Sequence, residues 1–243
     1  MAPFPHSTGN RLLDALSEED FEWLRANLTP IQLAFKQSIE AANRPIEAVV
    51  FPTSGILSVV ATSSRERQIE VGLIGREGMS GVAVVMGSGQ SPNETYVQAE
   101  GTGFRIHADL LREGMLQRPK LHQLFLHYVH AFLVQTAQTA LANGSAKIEE
   151  RLARWLLMAQ DRLQRPDLPL THELLSIMLG VRRPGVTEAL NAMEGSGLIK
   201  ATRGVVRLLD RPGVEACANG CYGVPEAEYE RLLAPFECRA GSD

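Results

Sequence analysis

Hydrophobic positions change their spacing twice along this chain, from helical to alternating and back to helical. In residues 10–28, Leu12, Leu13, Leu16, Phe21, Trp23, Leu24 and Leu28 recur near a helical repeat, and Ser17 is placed to cap a second segment. From Ile31 to Ile106 short apolar or alternating runs take over, at 49–51, 56–60, 69–73 and 96–99, divided by Pro, Gly, Ser and Asn. That punctuation predicts an antiparallel barrel or sandwich. In residues 68–73 the apolar side chains Ile69, Val71 and Leu73 alternate with Gln68, Glu70 and Gly72, which predicts a strand with one face buried.

Helical spacing returns after Ile106, first over 109–117 and then, beyond Pro119, over 120–142. The longer segment is apolar on more than one stripe, so one face can cover the barrel while another is left for a second copy of the same helix. Phe125, Val129, Phe132 and Leu133 are the expected dimer residues. Asn143, Gly144 and Ser145 are expected to break the helix, because Gly costs roughly 1 kcal/mol in a helix interior and the trio suits a cap or hinge.

Beyond that hinge, 148–163 is one amphipathic helix. Thr171 then caps a short helix carrying Leu174, Leu175, Ile177, Met178 and Leu179, and Gly180 closes it in a left-handed turn. A further helix starts three residues later, with Pro184 in its first turn and Val186, Leu190 and Met193 on its inner face. Two helices joined by a short Gly-containing turn are a helix-turn-helix. The second helix leaves Arg183, Gly185, Thr187, Glu188 and Asn191 on or near its outer side, with Arg182 just ahead, a set able to reach phosphates and base edges. Residues 197–201 and 205–208 flank Thr202, Arg203 and Gly204 as two short strands and a turn, hence a wing. Thr171 and Arg203 join the expected DNA-facing set.

The net charge of −4 hides an asymmetry. Residues 143–212 hold 11 Lys and Arg against 8 Asp and Glu, leaving 13 against 20 elsewhere, as a basic reading head on an acidic body would. No apolar run approaches the ~20 residues of a membrane span, and residues 1–9 lack the order of a secretory signal, so a cytoplasmic protein without membrane contact is expected. The cysteines, Cys217, Cys221 and Cys238, are odd in number and confined to the end of the chain, which does not suggest a disulfide framework. Cys217 and Cys221, four apart in an expected helix, allow a redox pair or plain packing. His127 and His130 are one helical turn apart without an evident third ligand, so no metal and no cofactor are expected. No Ser-His-Asp, phosphate-loop or paired-carboxylate pattern supports an enzyme. The remaining rival is a ligand-binding or protein-interaction module whose helix-turn-helix only packs against a partner.

Residues 10–208 resemble the Crp/Fnr transcription regulators. The resemblance is carried by Phe51-Pro52 with Gly55 and Ile56, by Gly75-Arg76-Glu77-Gly78, by the long helix, and above all by Leu179-Gly180-Val181-Arg182-Arg183 leading into Val186. It implies an α+β chain: a double-stranded β-helix (a cyclic-nucleotide-binding-like β-roll, or jelly roll) over 1–118, a dimerisation helix over 119–143, a winged helix-turn-helix over 144–212 and an extension over 213–243. It also implies a homodimer on a palindromic promoter site in double-stranded DNA, RNA polymerase as a partner, and a small-molecule effector. Cyclic-nucleotide members carry a Gly-Glu pair and, about ten residues later, an Arg that neutralises the phosphate; here those places hold Gly81-Val82 and Asn93-Glu94. A glutamate facing a phosphate repels it, so cyclic AMP is not the expected effector. Iron–sulfur sensing needs an N-terminal cysteine cluster, and no cysteine precedes Cys217. Arg76, Glu77, Gly81, Asn93 and Glu94 remain the expected effector-facing residues, although the glycines of the Gly75–Gly78 loop also suit a tight turn. The recognition helix departs from the family too: Pro184 replaces a commonly acidic base-reading residue and Glu188 a common Arg, so its operator is expected to differ.

Overall fold

The computed structural model describes residues 7–237. Helix α1 (Arg11–Asp14) begins where the Asn10 side chain accepts the Leu13 N–H, and α2 (Glu18–Arg25) where Ser17 accepts that of Asp20, so each uses the side-chain cap that satisfies an orphan donor. Seven strands follow, β1 (Thr29–Leu33), β2 (Ser38–Glu40), β3 (Ala48–Pro52), β4 (Ile56–Thr62), β5 (Gln68–Ile74), β6 (Glu94–Ala99) and β7 (Gly101–His107), with the short helix α3 (Val82–Val85) between β5 and β6. They form two antiparallel sheets, in the orders β1-β7-β3 and β2-β6-β4-β5. Phe51, Leu57, Val97 and Ile106 fill the space between them, and Leu12, Leu13 and Leu24 plug one side.

Helix α4 (Ala108–Gln117) leads into the long α5 (Pro119–Ser145). The expected break at Asn143 does not occur. The helix runs through Gly144 and stops only at Ala146, whose backbone is extended, and Ser145 donates its hydroxyl to the Leu141 carbonyl. One glycine in the exposed last turn is too small a cost to end a helix of this length. Phe125, Val129 and Phe132 also differ from expectation: all are buried within their own chain, Phe125 against Phe51 with ring centroids 5.9 Å apart. Burial on the β-roll leaves these three little surface to offer a second copy, whereas Leu133 is 52 % exposed.

The remaining elements are α6 (Ile148–Leu163), β8 (Asp167–Pro169), α7 (His172–Leu179), α8 (Arg183–Gly195), β9 (Ile199–Thr202), β10 (Val205–Leu208), α9 (Arg211–Cys217) and α10 (Val224–Glu237). Strand β8 adds a third member to the wing sheet, in the order β8-β10-β9. The terminal extension divides: α9 packs on α6, whereas α10 lies along α5 and contributes Tyr229 and Leu233 to the β-roll core.

The C-terminal domain is docked on the β4–β5 side of the roll. Its core continues into Ile56, Leu73 and Ala99, and α7 packs on β5. Strand β5 is therefore covered on both faces, and the side expected to meet solvent carries a buried carboxylate. Glu70 accepts hydrogen bonds from the Trp155 indole N–H at 2.6 Å and the Ser58 hydroxyl at 2.6 Å, and burial pushes its pKa up to about 7 against the pull of those donors and of Arg162 and Arg154. Nearby, buried Arg162 pairs through Nε with Glu77 Oε1 at 2.8 Å. Burial pulls the Arg162 pKa down, but the carboxylates of Glu77, Glu226 and Asp161 more than offset it, so the guanidinium stays charged.

Candidate nucleic-acid interface

The docking of the domain leaves one face of it in solvent. Thr171 Oγ1 accepts the Leu174 N–H at 3.2 Å and caps α7, while Gly180, at φ +60, turns the chain out of it. The Gly180 and Val181 amides donate back to the Ile177 and Ser176 carbonyls, and two residues later α8 begins. Val186, Ala189, Leu190 and Met193 are buried beneath α8, so Arg183, Thr187 and Asn191, one helical turn apart, share its exposed ridge with Glu188 beside them. Gly185 is the exception in the expected set: a Cβ there would point at Ile148 Cδ1 and Val181, on the inner side of the helix.

Charge on this face is held loosely. Arg183 Nη2 stands 3.6 Å from Glu173 Oε2, with the two side chains 69 % and 63 % exposed. Such a pair is worth well under about 1 kcal/mol, so a phosphate or a guanine edge outcompetes it readily. Arg182 is exposed at the start of α8, whose N-terminal amides carry partial positive charge. On the wing, Lys200 is tied to Glu194 at 2.9 Å and Arg207 to Asp167 at 2.5 Å. Arg203, at the tip beside Gly204 (φ +78), is exposed and makes no ion pair among the described residues. Thr171 is exposed but its side chain is engaged as the cap. His172, which sequence reasoning passed over, comes within 3.5 Å of the Thr187 hydroxyl through Nδ1 and so extends the face onto α7. A polar residue at the start of the first helix is the only signal that marks it.

The expected effector residues are not gathered in one place. Arg76 and Glu77 line a cavity of about 480 Å³ between the β-roll, α5, the end of α6 and α10. Gly81, Asn93 and Glu94 do not line it. Gly81, at φ +74, packs against Val49 and donates its amide to the Glu40 carboxylate at 2.5 Å, and Thr95 donates to the same carboxylate at 3.3 Å. Burial raises the Glu40 pKa, with the amide and hydroxyl donors opposing. The Asn93 amide donates to Ser91, and Glu94 opens β6 opposite Val60. His127 lies edge-on to Phe236 and His130 Nε2 is 3.1 Å from Glu228. Cys217 ends α9 while Cys221 lies in the turn beyond it, so the expected shared helix is not formed; both thiols are free. Cys238 lies outside the described residues. Among the described residues, no helix is long and apolar enough to cross a membrane.

Residues 150–217 match the family model of the Crp-like helix-turn-helix domain. Among curated protein sequences none matches the chain. Solved structures do resemble it. A crp/fnr-family transcriptional regulator from Eubacterium rectale superposes with a TM-score of 0.67 at 19% identity, over 88% of this chain and 100% of that one. FixK2 from Bradyrhizobium japonicum gives 0.66 at 15% identity over 78% and 96%, and the c-di-GMP-responsive global regulator CLP from Xanthomonas campestris gives 0.65 at 16% over 78% and 98%.

Proposed function

We propose that this chain, which has the fold of the Crp/Fnr transcription regulators and carries a Crp-like helix-turn-helix DNA-binding domain at residues 150–217, is a cytoplasmic, non-enzymatic regulator that binds a palindromic promoter site as a homodimer. One observation carries the reading: α8 is buried on its apolar face and open on the face that bears Arg183, Thr187, Glu188 and Asn191, with Arg182 and Arg203 flanking it. A helix presented in this way fits the major groove, and a wing arginine reaches the adjacent backbone. Selection of bound fragments from random duplex DNA tests it. The expected result is a palindromic sequence bound more tightly than scrambled duplex, with affinity falling as salt rises. Salt-independent retention, or none, would favour a protein-interaction module instead.

Dimerisation is supported by the outer face of α5. Leu126, His130, Leu133, Ala137, Ala140 and Gly144 are all exposed and follow each other at alternating steps of four and three residues, the spacing of a two-helix seam. The small residues Ala137, Ala140 and Gly144 allow close approach at its C-terminal end. Leu126→Glu with Leu133→Glu is expected to give a folded monomer in sedimentation. A dimer that survives both changes would place the interface elsewhere.

As to the effector, Asn93 and Glu94 stand where the resemblance places the phosphate-neutralising Arg of the cyclic-nucleotide members, and a glutamate there repels a phosphate. This supports an effector other than cyclic AMP, and calorimetry with cyclic AMP is expected to show no binding. RNA polymerase is the proposed protein partner on the promoter.

A further inference from the structure

The cavity beside Arg76 has a charge pattern that selects a ligand. Most of the ionised groups in its wall are already matched: Arg11 with Glu230 at 2.8 Å, Arg162 with Glu77 at 2.8 Å, and Asp161 with Arg211 at 2.8 Å. Two are not. Arg76 gives one nitrogen to the Gln164 amide oxygen, makes no ion pair among the described residues, and has a buried Nε–H without an acceptor. Glu226 accepts the Gly223 amide at 3.1 Å and makes no ion pair among the described residues, its charge acting on Arg162 and Arg154 only from beyond contact distance. A guanidinium in the wall of a cavity without a carboxylate partner can take an anionic group from outside the protein.

Between these groups the wall is aromatic. Tyr128 and Phe132 come from α5, Tyr229 from α10 and Tyr222 from the turn before it. The phenol hydroxyls are used internally, Tyr128 donating to Met79 O, Tyr229 to Glu77 O and Tyr222 to Asp161, so the rings offer apolar surface and no free hydroxyl. Four carboxylates against three guanidiniums line the site, which disfavours a polyanion such as a nucleotide. The volume suits a small molecule.

We propose that this cavity binds a free aromatic α-amino acid, with its carboxylate on Arg76, its ammonium on Glu226 and its ring against Phe132 and the tyrosines. Such a ligand would touch the roll through Arg76, the dimer helix through Phe132, α6 through Gln164 and α10 through Tyr229, and would thereby tie the position of the DNA-binding domain to the presence of the ligand. That regulatory role rests on the function proposed above; the binding itself does not.

The test is calorimetry on the full chain without DNA, so that a failure of DNA recognition leaves it untouched. The probes are L-phenylalanine, L-tyrosine and L-tryptophan, each with its methyl ester and its des-amino acid. At least one amino acid is expected to bind at sub-millimolar concentration, and loss of either charged end to weaken binding about tenfold or more. Arg76→Gln is expected to abolish the preference for acid over ester while leaving that for amino over des-amino intact, and Glu226→Gln to do the reverse. Absence of binding by all three amino acids, or equal affinity for acid, ester and des-amino forms in the unaltered chain, overturns the proposal without recourse to any variant.

Discussion

Two sets of arginines in the C-terminal domain do opposite work. Arg154 and Arg162 on α6 are 5% and 7% exposed and face the β-roll, whereas Arg182, Arg183 and Arg203 stand in solvent around α8 and the wing. The buried pair is held by the charges of Glu77 and Glu70 and by backbone carbonyls, so removing Arg162 leaves the Glu77 carboxylate without its cation. The exposed set has one loose ion pair between its three members and is free to meet an outside anion. Identical side chains thus fix the domain in one place and equip it to bind in another, and only their surroundings separate the roles.

The contrast is broken most severely at Arg162. Arg162→Met strips Glu77 of its partner in the domain joint and is expected to cost about 3 to 5 kcal/mol in denaturant unfolding, with much of it recovered by adding Glu77→Gln. A variant as stable as the parent would show that the joint does not depend on the pair. Next is Glu70, whose pKa burial raises to about 7 from an ordinary value of 4.5. The folded chain holds this proton more tightly than the unfolded one, so the stabilisation is fully present below pH 4.5 and is lost as pH rises through 7, by roughly 3 kcal/mol. Glu70→Gln is expected to flatten that decline in melts recorded across the same window; an unchanged slope would assign it to other groups.

On the exposed side the effects are smaller and appear in binding instead of unfolding. Arg183→Ala is expected to leave the melting temperature unchanged and to cost about 1 to 3 kcal/mol per half-site on the selected operator, with scrambled duplex little affected. Equal losses on both duplexes, with a shallower salt dependence, would make Arg183 a phosphate clamp. Smallest is Thr171→Ala, which removes the α7 cap and should cost about 1 kcal/mol of stability. A larger loss of DNA affinity than of stability there would give Thr171 a contact with DNA as well.

The helix-turn-helix was legible because each of its parts has a local cause: Thr171 caps, Gly180 turns, Pro184 opens a helix, Gly204 tips the wing. Strands β3 to β6 of the roll were legible for the same reason, through alternation and turn residues, whereas β1, β2 and β7 were not singled out. Which face of α5 stays exposed was not legible. Helix α5 is apolar almost all round, and periodicity does not tell which apolar stripe meets the roll, so Phe125, Val129 and Phe132 stood equal to Leu133 until the fold turned them inward.

The sequence alone determined the succession of helical, β-rich and helix-turn-helix regions and all but Gly185 of the outer ridge expected for α8, because capping, turn chemistry and helical period act over a few neighbours. Tertiary structure alone decided three other things: that Glu70 is buried beneath Trp155, that α10 folds back along α5, and that Arg76 and Glu226, 150 positions apart, share one cavity. Each depends on which surfaces meet across long stretches of chain, and burial, which sets the charge and partner of a titratable group, is a property of that meeting and not of the residue.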